Sequence, residues 1–290
     1  MRKKHKKTEE KASNNNPSES GLLTFGGHLE VFRQMLFRIF GVAGVIAIVV
    51  FCFKDTTWQL LLAPSEWDFC TYRWIENGMG RMGMDFHFDP YHVDLIATDL
   101  SSQFMTHITT AVYLGLLGAS PYILYELFRF ISPALYENER RYSMQVAGTI
   151  YALFIAGVLM SYFVLFPISF RFLGTYSVSA RVVSNITLDS YISTFVSLTL
   201  VMGVVFQLPV IAFFLGKMEI VTSSLLATYR KHAFIVIMLL AAIITPPDLM
   251  TLVLVTIPLY LLYEVSIRIV RWVEPNVDRD AQTEIMEVTK

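Results

Sequence analysis

Residues 130–141, FISPALYENERR, gather the side chains of this chain best suited to recognising a charged ligand. Glu137, Glu139, Arg140 and Arg141 fall within five residues, in a polar turn between two long apolar runs. A carboxylate at a membrane edge, half shielded from water, is well placed to hold a guanidinium, because charge-assisted hydrogen bonds are shorter and stronger than neutral ones. Pro133 stops a helix arriving from the N-terminal side, since proline has no N–H and its ring clashes with the preceding turn. Tyr136 pairs an apolar ring with a polar tip, as residues at a membrane surface do. Read on charge alone, the same residues form a solvated loop in which acids and bases neutralise one another.

Few other polar residues interrupt the apolar sequence. Asp248 follows Thr245-Pro246-Pro247 and reads as the cap of the next helix, as a functional acid, or as both. Glu264 reads as an end-of-helix anchor and as an acid able to meet a partner's polar group. His107, inside an apolar run, reads as a satisfied polar residue rather than a proton relay. Cys52 and Cys70 are the only cysteines, too few for a metal site or a disulfide framework, and they can bridge only if both lie on an oxidising side. No phosphate-cradling G-x-x-x-x-G-K-[ST] loop, H-E-x-x-H helix or paired C-x-x-C occurs. An enzyme is therefore not expected, nor a cofactor.

The elements that must position these residues follow from composition. With 54% hydrophobic and 16% charged residues, the chain reads as an all-α, polytopic membrane protein. A helix needs about 20 apolar residues to cross a hydrocarbon core of roughly 30 Å. Residues 35–53, 105–125, 147–166 and 191–215 meet that length, and Gly203 with Pro209 predicts a kink in the fourth. Arg38 is placed to snorkel from the first. Residues 233–244 and 249–263 are shorter. They form either one re-entrant hairpin or two crossings of a locally thinned bilayer, and the flanking Arg230, Lys231, His232, Arg268 and Arg271 favour the second.

Residues 1–21 are basic and rich in Asn and Ser, with no apolar core; they read as a disordered tail rather than a cleaved signal peptide. Residues 22–272 then form the six-helix membrane domain and 273–290 a second tail. The first loop, 54–102, is rich in Trp, Phe and Tyr and predicts short surface helices, with a turn at Asn77-Gly78 and Gly80. Eighteen Lys and Arg fall on the side of the two termini and five on the other, so both termini are expected in the cytoplasm.

Three stretches resemble the TatC family, the multispanning receptor subunit of the twin-arginine protein translocase. Gly27-His28-Leu29-Glu30-Val31-Phe32-Arg33 is similar to that family's N-terminal H-L-x-E-L-R element. Ser132-Pro133-Ala134-Leu135-Tyr136-Glu137-Asn138-Glu139-Arg140-Arg141 is the second, and Thr245-Pro246-Pro247-Asp248, followed by Ile257-Pro258-Leu259 and Leu262-Tyr263-Glu264, is the third. Ile96-Ala97-Thr98-Asp99 is a smaller match. The resemblance implies a protein of the bacterial inner membrane that binds twin-arginine signal peptides of folded cargo. With single-span TatA- and TatB-type partners, in a homo-oligomeric assembly, it would export that cargo on the proton motive force. Glu139 would be the main acid for the arginine pair, with Phe130, Pro133 and Arg140 shaping the same site and Arg33 and Glu30 contributing from the N-terminal element. Pro64 matches the family's outer-loop proline.

Two positions depart from the family pattern. Val31 stands where the family has Glu, and Glu30 lies three residues before Arg33, a spacing that puts both on one helix face and lets them pair with each other. Gln207 stands where many relatives carry Glu. An amide still hydrogen-bonds between helices, for about 0.6 to 2 kcal/mol, but does not titrate.

Gripping two arginines yields about 3 to 6 kcal/mol, at about 1.5 to 3 for each charge-assisted hydrogen bond. Micromolar affinity needs about 8, so the apolar part of a signal peptide must supply the remainder. A transporter or channel for a small solute is the main rival, although its expected midplane charges are missing: only His107 and Gln207 sit there. A scaffold that only assembles partners is the other.

Overall fold

The computed structural model describes residues 25–84, 87–131, 140–177, 179 and 185–274, with backbone only at 25–28, 131 and 140–145. The chain folds into helices α1 (Phe25–Cys52), α2 (Lys54–Leu62), α3 (Cys70–Arg81), α4 (Ser102–Gly118), α5 (Ser120–Ile131), α6 (Arg140–Met160), α7 (Phe166–Thr175), α8 (Leu188–Val205), α9 (Leu208–Lys217), α10 (Ser223–Thr228), α11 (Arg230–Ile244) and α12 (Leu249–Val273). Among the described residues, four helical stretches are long and apolar enough to cross a membrane: Leu29–Cys52, Val146–Thr175, Leu188–Lys217 and Leu249–Val273. A fifth forms if α4 and α5, bent by 52° at their junction, are taken as one broken span.

Prolines set the breaks. Pro121 cannot donate to the Leu117 carbonyl, and the second apolar run, expected as one helix, is interrupted at Ala119. Pro167 follows a π-helical turn at Ser161–Leu165, which joins α6 to α7 within one 30-residue stretch. Before Pro209 the helix stops at Phe206 and Gln207, where the Gln207 N–H bonds the Val204 carbonyl at 2.9 Å; this is the interruption that Gly203 and Pro209 led us to expect.

Two expectations about length and turns are corrected. The apolar run after Asp248 ends near residue 263, yet α12 continues to Val273, 25 residues or about 37 Å at 1.5 Å each. Its last turns are amphipathic, and Ser266, Ile267 and Val270 are buried against the rest of the protein. α11, expected over 233–244, starts at Arg230 and has 15 residues or about 22 Å, still short of a hydrocarbon core of roughly 30 Å. The turn predicted at Asn77-Gly78 and Gly80 lies instead inside α3, and the chain reverses at Gly83, whose φ of +78° suits a residue without Cβ.

The first loop does form short helices, α2 and α3, joined by a 3-10 turn at Ala63–Ser65. It also contributes something an all-α reading misses: Leu95–Ile96 (β1) pairs in parallel with Ile186–Thr187 (β2) from the loop before α8. These strands bring the starts of α4 and α8 to one end of the molecule. Tyr191 donates to the Leu61 carbonyl at 2.7 Å and Tyr162 to the Leu60 carbonyl at 2.8 Å, which seats α2 on the same end. At the opposite end Phe32 of α1 meets Phe130 of α5, and Ser223 of α10 meets Glu274 beyond α12.

Close helix approach needs small residues where side chains would collide. A Cβ on Gly115 would lie 2.7 Å from the Ala47 Cβ and 2.8 Å from the Ala43 carbonyl, so Gly115 sets the spacing of α1 and α4. A Cβ on Gly157 would lie 2.5 Å from the Met202 carbonyl oxygen, so Gly157 does the same for α6 and α8. The main core runs through Leu165, Phe166, Phe195, Met202, Ala241, Val255 and Leu259, joining α7, α8, α11 and α12.

Candidate functional site

A polar corner among the described residues lies where the N-terminal half of α1 meets the C-terminal half of α5. One helical turn places Glu30 and Arg33 on the same face, and their side chains pair at 2.7 Å. Gln34 Nε2 adds a hydrogen bond to the same Glu30 oxygen at 3.2 Å. Glu30 and Arg33 do pair with each other, as their spacing led us to expect, and both remain exposed, at 47% and 66% of their side chains. Phe32, between them in sequence, packs its ring 5.8 Å from that of Phe130 and ties α1 to the end of α5.

One turn deeper on α5 lies an acid just beyond the apolar run 105–125. Glu126 is inside α5 and only 6% exposed. Tyr122, four residues before it, donates to Glu126 Oε1 at 2.9 Å, and Arg38 of α1 brings Nη1 to 3.7 Å from the same oxygen. Arg38 snorkels as expected, its side chain 52% exposed, but toward a buried carboxylate and not toward water alone. The signal was legible: Tyr122, Glu126 and Phe130 recur every four residues, the period of one helix face.

The remaining residues singled out from the sequence scatter. Pro133, Glu137 and Glu139 lie outside the described residues; α5 is described to Ile131 and α6 opens at Arg140. Pro64 is buried in the 3-10 turn at the opposite end, far from this corner in the chain's path. Gln207 Nε2 donates to the Ile150 carbonyl at 3.1 Å and stands 3.5 Å from the Gly203 carbonyl, so it joins α6 to the break between α8 and α9. Asp248 caps α12, its Oδ1 accepting from the Thr251 N–H at 2.7 Å, while Oδ2 is buried without a partner among the described residues. Glu264 is held on α12 by Arg230 Nε at 2.8 Å and by the Tyr260 hydroxyl at 3.2 Å. Cys52 and Cys70 are both free thiols. His107 departs from the expected satisfied state: its ring stacks on Phe51 at 4.3 Å, and Nε2 is buried with no hydrogen-bond partner among the described residues.

The aromatic first loop has a structural use. Arg171 of α7 sits in a cage of rings, its guanidinium carbon 5.1 Å from the Tyr72 centroid, 4.4 Å from Phe88 and 4.6 Å from Tyr91. Tyr72 donates to the Pro167 carbonyl at 2.8 Å, and burial pushes its phenol above the ordinary tyrosine range, so it stays a donor. Within the helices, Ser161 and Thr199 satisfy each other at 3.1 Å. An apolar cavity of about 250 Å³ opens between α6, α9 and α12, lined by Val146, Leu153, Val210, Phe213 and Trp272 among others.

Comparison with known proteins places this arrangement. Residues 27–258 match the model of the family described as Sec-independent protein translocase protein (TatC). A TatC from Blattabacterium sp. subsp. Periplaneta americana is 33% identical over 257 residues, covering 87% of this chain and 96% of that protein. A TatC from Carboxydothermus hydrogenoformans is 30% identical over 258 residues, covering 88% and 95%. Among solved structures, a crystal structure described as the twin-arginine translocase receptor TatC superposes with a TM-score of 0.67 at 29% identity, over 85% of this chain and 99% of that one.

Proposed function

The chain belongs to the TatC family, and from that premise we propose that it is the receptor subunit that binds twin-arginine signal peptides of folded cargo at its cytoplasmic face. With single-span TatA- and TatB-type partners, and as an assembly of several copies, it passes that cargo across the bacterial cytoplasmic membrane on the proton motive force. The observation that carries this reading is the corner of Glu30, Arg33, Phe32 and Phe130, which stands at the end of α5 from which the chain enters residues 132–139. Glu30, an acid able to hold a guanidinium, thus lies beside the end of α5, which supports this reading.

In this reading six segments cross the membrane: α1, the bent pair α4 and α5, α6 with α7, α8 with α9, α11 and α12. Both termini lie in the cytoplasm, in keeping with the charge of the loops. Residues 22–272 are the membrane domain, flanked by the tails 1–21 and 273–290. Glu139 is the main acceptor for the arginine pair. Phe130, Pro133 and Arg140 shape the same site, and Glu30 and Arg33 contribute from the N-terminal element. Pro64, Gln207, Asp248 and Glu264 hold the scaffold, since three of the four make the internal hydrogen bonds described above and Pro64 is buried. Of the two midplane candidates for a solute transporter, Gln207 bonds the Ile150 backbone and His107 stacks on Phe51, and neither carries a carboxylate, lysine or arginine charge.

Deleting the gene and following two reporters tests the proposal. A folded reporter with a twin-arginine signal should stay in the cytosol while a Sec-dependent one still leaves. Normal export of the first, or loss of both, would overturn it.

A further inference from the structure

Glu126 poses a problem that its visible neighbours only partly solve. A carboxylate taken out of water needs both a countercharge and filled hydrogen-bond positions. Tyr122 fills one, at 2.9 Å, but the Arg38 guanidinium stands 3.7 Å away, beyond hydrogen-bond reach. Arg38 is half in water, so it can leave Glu126 for solvent without crossing an apolar barrier. The remaining cation on this stretch of α5, Arg129, is exposed.

The position of the pair matters as much as its geometry. Glu126 lies four residues before Phe130 on the same face of α5, about 6 Å along the helix axis. Phe130 and Phe32 join α5 to α1 just above it, and the Glu30 carboxylate at the rim is already engaged by Arg33 and Gln34. A ligand with two adjacent guanidinium groups meets one committed acid at the rim and one loosely held acid a turn below.

Resting on the receptor reading above, we propose that Glu126 is a second, recessed acceptor for one guanidinium of the twin-arginine motif. Arg38 is the resident cation that holds the place until the peptide displaces it. No bond is made or broken; one guanidinium replaces another, and the departing Arg38 regains its water. An incoming arginine that reaches Glu126 makes the close, two-pronged contact that Arg38 does not. Arg38 then acts as a competitor, reducing apparent affinity by the fraction of time it occupies the acid.

This assignment differs in sign from a purely structural latch between α1 and α5, and titration of peptides against the full-length protein in lipid nanodiscs separates the two. The probes are four synthetic signal peptides carrying Arg-Arg, Arg-Lys, Lys-Arg and Lys-Lys. Glu126→Gln should weaken the Arg-Arg peptide by about ten-fold or more and erase its advantage over one of the single-arginine peptides. Arg38→Met should tighten the Arg-Arg peptide by about three- to ten-fold. If Arg38→Met does not fold, Arg38→Gln removes the charge while keeping a polar side chain at the half-exposed position and should tighten binding in the same direction. Equal weakening of all four peptides by Glu126→Gln, or weaker Arg-Arg binding in a folded Arg38 variant, would overturn the proposal and leave the receptor reading standing. Absence of Arg-Arg preference in the unaltered protein would remove both.

Discussion

Thr71 of the first loop donates its hydroxyl to the carbonyl of Phe163, in the π-helical turn that precedes Pro167. One residue of the first loop thus bonds the backbone of a helix 92 positions away. Its neighbour Tyr72 binds the Pro167 carbonyl and Tyr91, and Arg171 of the same helix is enclosed by the loop's rings. The loop is a cap fastened to α7.

Removing that hydroxyl removes a part-buried bond between the loop and the helix. Thr71→Val should lower stability by about 1 to 3 kcal/mol, whereas Thr71→Ser should stay near the parent. Thermal unfolding in detergent checks this, and equal melting of the Val and Ser variants would refute the capping role.

Helix spacing at Gly157 leaves no room for a methyl group, because the Met202 carbonyl oxygen would lie 2.5 Å from it. Gly157→Ala should cost about 1 to 3 kcal/mol through overpacking. Gly148→Ala, nine residues earlier on the same helix with nothing within 4 Å, should be neutral or slightly stabilising. Comparable losses in both would show that helix propensity and not packing decides.

Glu264 and Arg230 fasten α12 to the start of α11 while partly open to solvent, at 26% and 45% of their side chains. Either Glu264→Gln or Arg230→Met should therefore cost about 0 to 1 kcal/mol. The pair Arg230→Glu with Glu264→Arg should recover what each reversed charge alone loses. A double-mutant cycle with no coupling would assign Glu264 to something other than its internal partner.

At about 22 Å, α11 falls short of the hydrocarbon core, and α12 does not share that shortness. Lengthening α11 by about five apolar residues should impair export while leaving peptide binding intact, if local bilayer thinning beside it aids transport. Export at the parental rate would remove thinning from the mechanism.

Much of this architecture can be read from the amino acids. Apolar runs mark the long helices, Pro209 marks the break before α9, and the three-residue spacing marks the Glu30–Arg33 pair. Asp248 likewise has the cap that its place after two prolines implies. What escaped depends on contacts distant in sequence. The β1–β2 pairing joins two-residue strands that carry no alternation to detect. The last turns of α12 are held by burial of Ile267 and Val270, while Arg268 and Arg271 make the same stretch look like a polar exit. A carboxylate at position 126 ends the apolar count at 125; the four-residue spacing points to Tyr122 as its neighbour, but only the approach of α1 reveals that Arg38 stands beside it.

The central claim is that a carboxylate at the cytoplasmic edge holds the arginine pair of another polypeptide, and photocrosslinking tests it most directly. A twin-arginine signal peptide bearing a photoreactive group beside the pair should label the parent protein. It should fail to label Glu139→Gln, although that variant is inserted and folded. Undiminished labelling of Glu139→Gln, with the arginine pair still preferred over two lysines, would contradict the account.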